Sequence, residues 1–100
     1  MILLYITSSS KEEAEKISNT LLDEKLIACA NIIESKSIYN WKGKRENSKE
    51  FIIFAKTSEE KINAAEKKVK ELHSYEIPCI IKFPINANSE YSEWINSELV

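Results

Sequence analysis

The sequence is poor in glycine, proline and cysteine, and neither sign of charge is in marked excess. Its 100 residues include one Gly, two Pro and two Cys, and the formal net charge at pH 7 is -2. With a single glycine, the chain has almost no room for a glycine-rich loop that cradles phosphates. Acidic and basic side chains are interleaved, so no basic field is present to hold a phosphate backbone, and nucleic acid is not expected as a partner.

Long hydrophobic runs are missing as well. The opening run at residues 1–6 is too short for the core of a signal peptide or for a membrane span, and no basic residue precedes it. We therefore expect a cytoplasmic protein without a membrane partner. Cys29 and Cys79 lie 50 positions apart in apolar segments and lack CxxC spacing, so they are expected to be buried free thiols.

The chain does contain a regular alternation of strand and helix patterns. Ser/Thr-x-x-Glu capping patterns occur at residues 9–12 or 10–13 and again at 57–60, each before apolar residues at helical spacing. The only glycine marks the turn of a long hairpin at Lys42-Gly43-Lys44. The predicted elements are a strand at 2–7, a helix from 11 to near 25, hairpin arms at 26–41 and 50–57, a helix at 62–72, a strand at 79–85 and a short helix at 91–99.

An internal repeat links the two longer helices. Apolar positions of the first helix recur in the second at a constant offset of 48 positions, with Ala14, Ile17 and Leu21 matching Ile62, Ala65 and Val69. This is typical of a duplicated strand-helix-strand unit. Right-handed crossovers turn the order β-α-β-β-α-β into a four-stranded antiparallel sheet with both helices on one face. The sequence therefore predicts one α+β domain at residues 1–100, with a ferredoxin-like fold and a short C-terminal helix.

Three of the predicted strands are apolar on both faces. Residues 2–6, 51–55 and 79–81 are almost continuously apolar, whereas a strand with one wet face should alternate. The two longer helices cover only one face, and the short helix covers part of the other. We therefore predict self-association through the uncovered face and the edges of the sheet, with Ile53→Lys as a substitution that tests it.

Five segments together resemble the CutA divalent-ion tolerance family. They are Cys-Ala-Asn-Ile at 29–32, Ser-Ile-Tyr-Asn-Trp-Lys-Gly-Lys at 37–44, Lys-Thr at 56–57, Leu-His-Ser-Tyr-Glu-Ile-Pro at 72–78, and the tail residues Tyr91 and Trp94. The resemblance covers nearly the whole chain, although Ser74 stands where the family commonly has proline. It implies a cytosolic homotrimer of ferredoxin-like subunits that is linked to metal tolerance and to binding of divalent copper. It implies no established catalytic reaction, and no organic cofactor is expected.

A metal site is predicted from three residues. His73 and Glu76 lie three apart at the end of a helix, so an imidazole nitrogen and a carboxylate can reach one ion, and Cys29 can add a thiolate. Copper or another divalent cation suits this set. One histidine and two distant cysteines make a poor closed site in one subunit, but a three-fold axis or a subunit boundary could raise the number of ligands. The alternative is that His73 only caps its helix.

A ligand pocket is predicted from Lys56, Tyr75 and Trp41. Lys56 precedes the second long helix, where backbone N–H groups and a cation can together hold an anion. Its alternative role is a salt bridge to Glu76 or another carboxylate. Tyr75 and Trp41 are aromatic residues that either line a cleft between subunits or pack within the core or interface.

Three functions remain open on the sequence alone. The first is a trimeric protein of divalent-cation tolerance that binds copper or another divalent ion. The second is a signalling trimer similar to the nitrogen-regulatory PII proteins, which hold small anionic effectors between subunits, and the third is a structural scaffold trimer. Enzyme activity is not expected, because the chain has no Ser-His-Asp or Cys-His set in a local context.

Overall fold

Four strands and three helices follow one another in the predicted order. The computed structural model describes all residues from Met1 to Val100. The elements are β1 (Ile2–Ser8), α1 (Lys11–Asp23), β2 (Cys29–Trp41), β3 (Lys44–Thr57), α2 (Ile62–Leu72), β4 (Ile80–Pro84) and α3 (Ser89–Glu98). The strands form one antiparallel sheet in the order β2-β3-β1-β4. The helices α1 and α2 therefore each return the chain to a strand that lies two positions away, which is the ferredoxin-like arrangement.

The β2–β3 hairpin is longer than predicted on its return arm. Its two strands pair without interruption from Cys29 opposite Lys56 to Trp41 opposite Lys44. Only Lys42 and Gly43 form the turn, with φ angles of 51° and 80°. Positive φ at both central residues is typical of the two-residue turns that match the twist of paired strands. Because such a turn lets pairing begin at once, β3 starts at residue 44 and not at residue 50.

The helices bury one face of the sheet and form the main core. Ile2, Leu4 and Ile6 of β1 alternate with more exposed residues and point toward α1 and α2. The fully buried members of this core include Leu4, Ile6, Ala14, Ile17, Leu21, Ile53, Ala55, Ala65 and Val69. Ile53 belongs to this helix-covered core, so Ile53→Lys does not test the opposite face as predicted.

The internal repeat extends to one serine before each of the two longer helices, in a register one residue later than the pattern at 57–60. The Ser10 hydroxyl accepts the N–H of Glu13 at 3.0 Å, and the Ser58 hydroxyl accepts the N–H of Lys61 at 3.3 Å. Thr57 does not cap α2, because its buried hydroxyl donates to the carbonyl oxygen of Leu26 at 2.7 Å. Ser10 is the N-cap of α1, whereas α2 begins after Lys61 without a side-chain cap, so the predicted cap at 57–60 is wrong and the repeat shares only the serine contact and the apolar spacing.

The other side of the sheet is only partly covered, and we call it the open face. It is formed by the residues that alternate with the core positions, among them Leu3, Tyr5, Thr7, Ile33, Glu50, Ile52, Phe54, Lys56, Ile81 and Phe83. The C-terminal helix α3 covers one end, where Ile95 and Leu99 pack on Ala28. Ile33 remains 52% exposed, and Ile81 and Phe83 remain 44% exposed. A single chain thus leaves large apolar side chains uncovered on this face.

Candidate functional site

Residues 73–79, which we call the strap, connect α2 on the helix side to β4 and are fixed at their start by three hydrogen bonds. The N–H of Tyr75 donates to His73 Nδ1 at 3.1 Å, and the N–H of Ser74 donates to Glu13 Oε2 at 2.8 Å. His73 Nε2 lies 2.6 Å from the carbonyl oxygen of Thr7. Because Nδ1 accepts a hydrogen bond, the ring proton sits on Nε2 and donates to Thr7. Both ring nitrogens of His73 are therefore occupied within the chain.

Glu13 ties the strap to the beginning of α1. Its Oε1 accepts the N–H of Ser9 at 2.8 Å, while its Oε2 accepts the N–H of Ser74. Burial raises the pKa of Glu13, but the hydrogen bonds from Ser74 and Ser9 outweigh burial and bring the pKa down to about 2. The carboxylate is thus charged whenever the protein is near neutral pH.

Beyond this anchor, the strap carries the Tyr75 side chain onto the open face. The Tyr75 hydroxyl donates to Glu50 Oε2 at 2.6 Å. Glu50 is only 5% exposed, and it makes no salt bridge and no hydrogen bond through Oε1. Burial, together with the hydrogen bond to Glu50 and the Glu50 charge, raises the pKa of Tyr75. Within the chain, the carboxylate of Glu50 therefore has one hydrogen-bond donor, the neutral hydroxyl of Tyr75.

A cavity of about 850 Å³ lies between the strap, the outer part of the hairpin and the middle of the sheet. Its charged lining residues are all acidic, namely Glu46, Glu50 and Glu76. Its aromatic lining residues are Tyr5, Tyr39, Trp41 and Tyr75. No lysine, arginine or histidine lines it, but Lys42 Nζ lies 3.8 Å from Glu76 Oε2, with both side chains well exposed. We call this space the strap cavity, and its lining carries net negative charge.

Cys79 also faces the strap cavity, at the end of the strap. Burial raises the pKa of its thiol, and the nearby Glu50 charge raises it further. Cys79 and Cys29 are both free thiols as predicted, but each is only partly buried and not buried as predicted. Sequence reasoning did not place Cys79 or Glu50 in a site.

A second polar group occupies the opposite end of the open face, beside α3. Cys29 pairs directly with Lys56 across the hairpin, and its Sγ lies 3.2 Å from the hydroxyl of Tyr91. Lys56 Nζ donates to Asn31 Oδ1 at 3.2 Å and lies 5.7 Å from the centre of the Tyr91 ring. No carboxylate forms a salt bridge with Lys56, so the alternative of a bridge to Glu76 is not realised in the chain.

The six predicted site residues are therefore divided between two places. Tyr75, Trp41 and Glu76 line the strap cavity, and His73 anchors the strap beside it. Cys29 and Lys56 lie at the other end of the sheet: Lys56 faces Leu3 of β1 while His73 contacts Thr7, four residues along the strand, or about 13 Å.

The predicted metal ligands do not meet within one subunit. No group of three or more His, Cys, Asp or Glu side chains is arranged to hold a metal ion in the chain. The separation of Cys29 from His73 and Glu76 explains why these three do not form such a group. Their role as metal ligands stays a prediction, and within it Cys29 could join His73 only from a different subunit.

Solved structures with the same fold come from several organisms. The periplasmic divalent cation tolerance protein CutA from Archaeoglobus fulgidus has a TM-score of 0.96 at 42% identity, with 100% of both chains covered. CutA1 from Pyrococcus horikoshii has a TM-score of 0.95 at 40% identity, with 98% of this chain and 97% of that chain covered.

The prediction of a cytoplasmic location is wrong. The Archaeoglobus fulgidus structure is described as periplasmic, and a relative from Oryza sativa that is 35% identical over 98 residues is described as chloroplastic. Proteins of this fold thus occupy different compartments, and the lack of a long apolar opening run does not distinguish among them. None of the helices combines the length and apolar character that crossing a membrane requires.

Sequence comparison gives the same family. The divalent-cation tolerance protein CutA of Pyrococcus horikoshii is 41% identical over 99 residues, which covers 98% of this chain and 97% of the relative. The protein of the same description from Archaeoglobus fulgidus is 45% identical over 94 residues. The profile of the CutA1 divalent ion tolerance protein family matches residues 2–98. With this match over nearly its whole length, the chain belongs to the CutA1 divalent ion tolerance protein family.

Proposed function

We propose that this protein acts in divalent-cation tolerance as a homotrimer that binds copper or another divalent ion. The observation that carries the proposal is the strap cavity, whose charged lining residues are three glutamates and no basic residue. Carboxylates around a partly enclosed space raise the local concentration of cations and lower that of anions. The names of the relatives, which refer to divalent-cation tolerance, agree with this preference for cations.

Assembly of three subunits is supported by the open face. Ile33, Ile81 and Phe83 remain about half exposed on one surface, and the two strands that carry them, β2 and β4, are the edges of the sheet. Apolar area left in water costs about 25 cal/mol per Å², so a few hundred Å² on each subunit amount to several kcal/mol. That loss is comparable with the whole stability of a small domain. Contact between copies through this face removes it.

Ligands from more than one subunit complete the metal site in this proposal. Glu76 lines the strap cavity and is a ligand that needs no rearrangement of the strap. His73 can bind an ion only when it gives up its hydrogen bond with Thr7 or with Tyr75, because both ring nitrogens are occupied. Cys29 gives up its contact with Tyr91 and enters from a neighbouring subunit.

One observation favours a second function, that of a PII-like trimer with an anionic effector. Lys56 lies on the open face without a carboxylate partner, and its ammonium group contacts only an amide oxygen and an aromatic ring. A lysine in such a position can accept an anionic group that approaches between subunits. This candidate places the ligand beside α3 and leaves the strap cavity unused.

Titration of Cu²⁺ into the purified protein, with the mass measured by light scattering on the same sample, tests the leading function. We expect a mass of three 11.5 kDa chains and saturable binding at a whole number of ions per trimer. His73→Ala and Cys29→Ser should each weaken binding, whereas Glu12→Gln on the exposed side of α1 should not. A trimer that binds no copper, zinc or other divalent ion contradicts the proposal, and one that instead binds anionic nucleotides in a Lys56-dependent manner supports the second function.

A further inference from the structure

We propose that the strap is an autoinhibitory clasp: in its closed form both nitrogens of the His73 ring are occupied, and the hydrogen bond between Glu13 and Ser74 sets how often it opens. The inference rests on the proposed function in one respect, the role of His73 as a ligand of a divalent ion. It adds the regulation of that ligand by a residue of α1 that is not a ligand itself. Three features carry it: the occupied imidazole, the sparse bonding of the strap and the position of Glu13.

The imidazole of His73 is occupied on both sides in the closed strap. Nε2 lies 2.6 Å from the carbonyl oxygen of Thr7, and Nδ1 accepts the N–H of Tyr75 at 3.1 Å. The pairing of β1 with β4 ends where Ile6 faces Ile80, so Thr7 lies one residue beyond the part of β1 for which β4 supplies a partner. Ligation requires a nitrogen lone pair, and the only ring lone pair of the neutral imidazole accepts the Tyr75 N–H. His73 is therefore unavailable as a ligand until the strap moves.

The strap itself is held by few bonds. No backbone–backbone hydrogen bond joins residues 74–79 to the rest of the chain. Besides the Tyr75 N–H, the strap donates only two hydrogen bonds, from the Ser74 N–H to Glu13 at 2.8 Å and from the Tyr75 hydroxyl to Glu50 at 2.6 Å. Segments with little backbone hydrogen bonding open at a lower free energy than the helices and strands around them. The strap can therefore open while the sheet and the helices stay folded.

Glu13 holds the strap from the helix side of the sheet. It belongs to the first turn of α1, and the same carboxylate accepts the N–H of Ser9 at 2.8 Å, so its position is fixed independently of the strap. Its bond with the Ser74 N–H is solvent-exposed. Since α1 lies on the side of the sheet away from the open face, contact between copies through the open face leaves this bond free to break. Glu13 can therefore control the strap in the assembled protein.

A weaker bond from Glu13 should have a defined effect on the availability of His73. When a ligand binds only the open form, its apparent affinity is the intrinsic affinity multiplied by the fraction of open chains. Removal of a contact that exists only in the closed form raises this fraction. Loss of the Glu13–Ser74 bond should therefore strengthen ion binding, whereas loss of a ligand weakens it. The opposite sign distinguishes a clasp residue from a ligand.

Carbethoxylation of the tag-free protein by diethyl pyrocarbonate at neutral pH tests the proposal without any metal. The reagent attacks a free imidazole nitrogen, and His73 is the only histidine of the chain. Glu13→Gln keeps the side-chain size, but its neutral amide is a weaker acceptor than the carboxylate, so the rate should rise about fivefold to tenfold. Glu12→Gln, in the same turn of α1 without a strap contact, should react like the natural protein. If Glu13→Gln does not fold, Tyr75→Phe replaces it, because it removes the bond of the strap with Glu50.

Two results overturn the proposal: a reaction of His73 in the natural protein as fast as that of free histidine, or equal rates in the natural protein and the strap variant. Copper titration of the same samples keeps the two proposals apart. We expect the affinity of Glu13→Gln for copper to rise by the same factor as its carbethoxylation rate, because both follow the open fraction. Copper binding that is equally tight in both proteins overturns this inference alone. Faster carbethoxylation of Glu13→Gln without divalent-ion binding in any sample overturns the proposed function alone.

Discussion

The hydroxyl of Tyr75 donates a 2.6 Å hydrogen bond to Oε2 of Glu50, a residue 25 positions earlier in the chain. This bond joins the strap to the open face and closes one side of the strap cavity. It also places a neutral donor on the most buried carboxylate of the protein, which is 5% exposed. The bond thus links the stability of the strap to the charge of the candidate cation site.

Removal of this hydroxyl should lower stability without changing the fold. In Tyr75→Phe, Glu50 keeps its burial but loses its only side-chain donor, and a hydrogen bond to a charged group contributes about 1.5–3 kcal/mol. We expect a loss of that order in the free energy of unfolding, measured by urea denaturation. Tyr39→Phe is the matched control, because Tyr39 lines the same cavity without a hydrogen bond from its hydroxyl. An equal loss of unfolding free energy in the two variants would show that the Tyr75–Glu50 hydrogen bond does not stabilise the protein.

The stability difference between the natural protein and Tyr75→Phe should change with pH in a defined direction. The pKa of Tyr75 is raised in the folded protein above its ordinary value of 10.0, chiefly by burial and then by Glu50. The contribution of the bond is therefore complete below pH 10 and is lost as the pH rises above it. The stability difference between the natural protein and Tyr75→Phe should stay constant at neutral pH and shrink in alkaline solution. A difference that grows above pH 10 contradicts this assignment.

Glu13→Gln tests the anchor between the strap and α1. The folded pKa of Glu13 is about 2 and its ordinary value is 4.5, so its charge stabilises the folded state above pH 4.5, and this contribution disappears as the pH falls toward 2. We expect Glu13→Gln to be less stable than the natural protein at pH 7 and to approach it in acid. Thermal unfolding at a series of pH values measures the trend. Glu12→Gln, a neighbour in the first turn without a strap contact, should show no such convergence.

His73 should act on the strap even in the absence of metal. Its ring joins the N–H of Tyr75 to the carbonyl oxygen of Thr7, so His73→Ala removes both contacts. We expect faster amide hydrogen exchange at Tyr75 in this variant, with little change in the core of α1. Hydrogen exchange followed by NMR makes the comparison residue by residue. Unchanged protection at Tyr75 would leave metal binding as the only role of the ring.

The open face should control the state of assembly. Phe83→Lys places a charge among apolar side chains of the edge strand β4, where Phe83 is 44% exposed in the single chain. We expect this variant to have the mass of a monomer or to lose stability strongly, as read from light scattering and thermal unfolding. Leu22→Lys is the control, since Leu22 is 38% exposed on α1, on the helix side. Retention of the full assembly by Phe83→Lys would exclude this part of the face from the contact.

Much of the fold follows from local chemistry. The only glycine marks the hairpin turn, and the Ser10 cap marks the start of α1, because each depends on neighbours within a few residues. The uncovered face was visible in the apolar runs that fail to alternate. The sequence does not predict that Ile53 faces the helices, because a continuous apolar run does not indicate which of its residues lie on which face of the sheet.

The strap cavity could be predicted only in part. The sequence predicts Tyr75, Trp41 and Glu76 as site residues but not Glu50, although a glutamate directly before the apolar run Phe51 to Ala55 is a signal of a buried charge. Its meaning depends on Tyr75, which reaches it through tertiary packing that spacing does not encode. For the same reason Cys29 and His73 were grouped although the sheet separates them.

The proposed function depends most directly on the binding of divalent cations in the strap cavity beside Glu50. Diffraction at the copper absorption edge, from crystals of the protein soaked in Cu²⁺, locates bound ions directly. We expect an anomalous peak in or at the rim of the strap cavity, with Glu76 and side chains of more than one subunit around it. Copper found only at surface positions remote from Glu50 and Glu76, or no ordered copper at all, would contradict it.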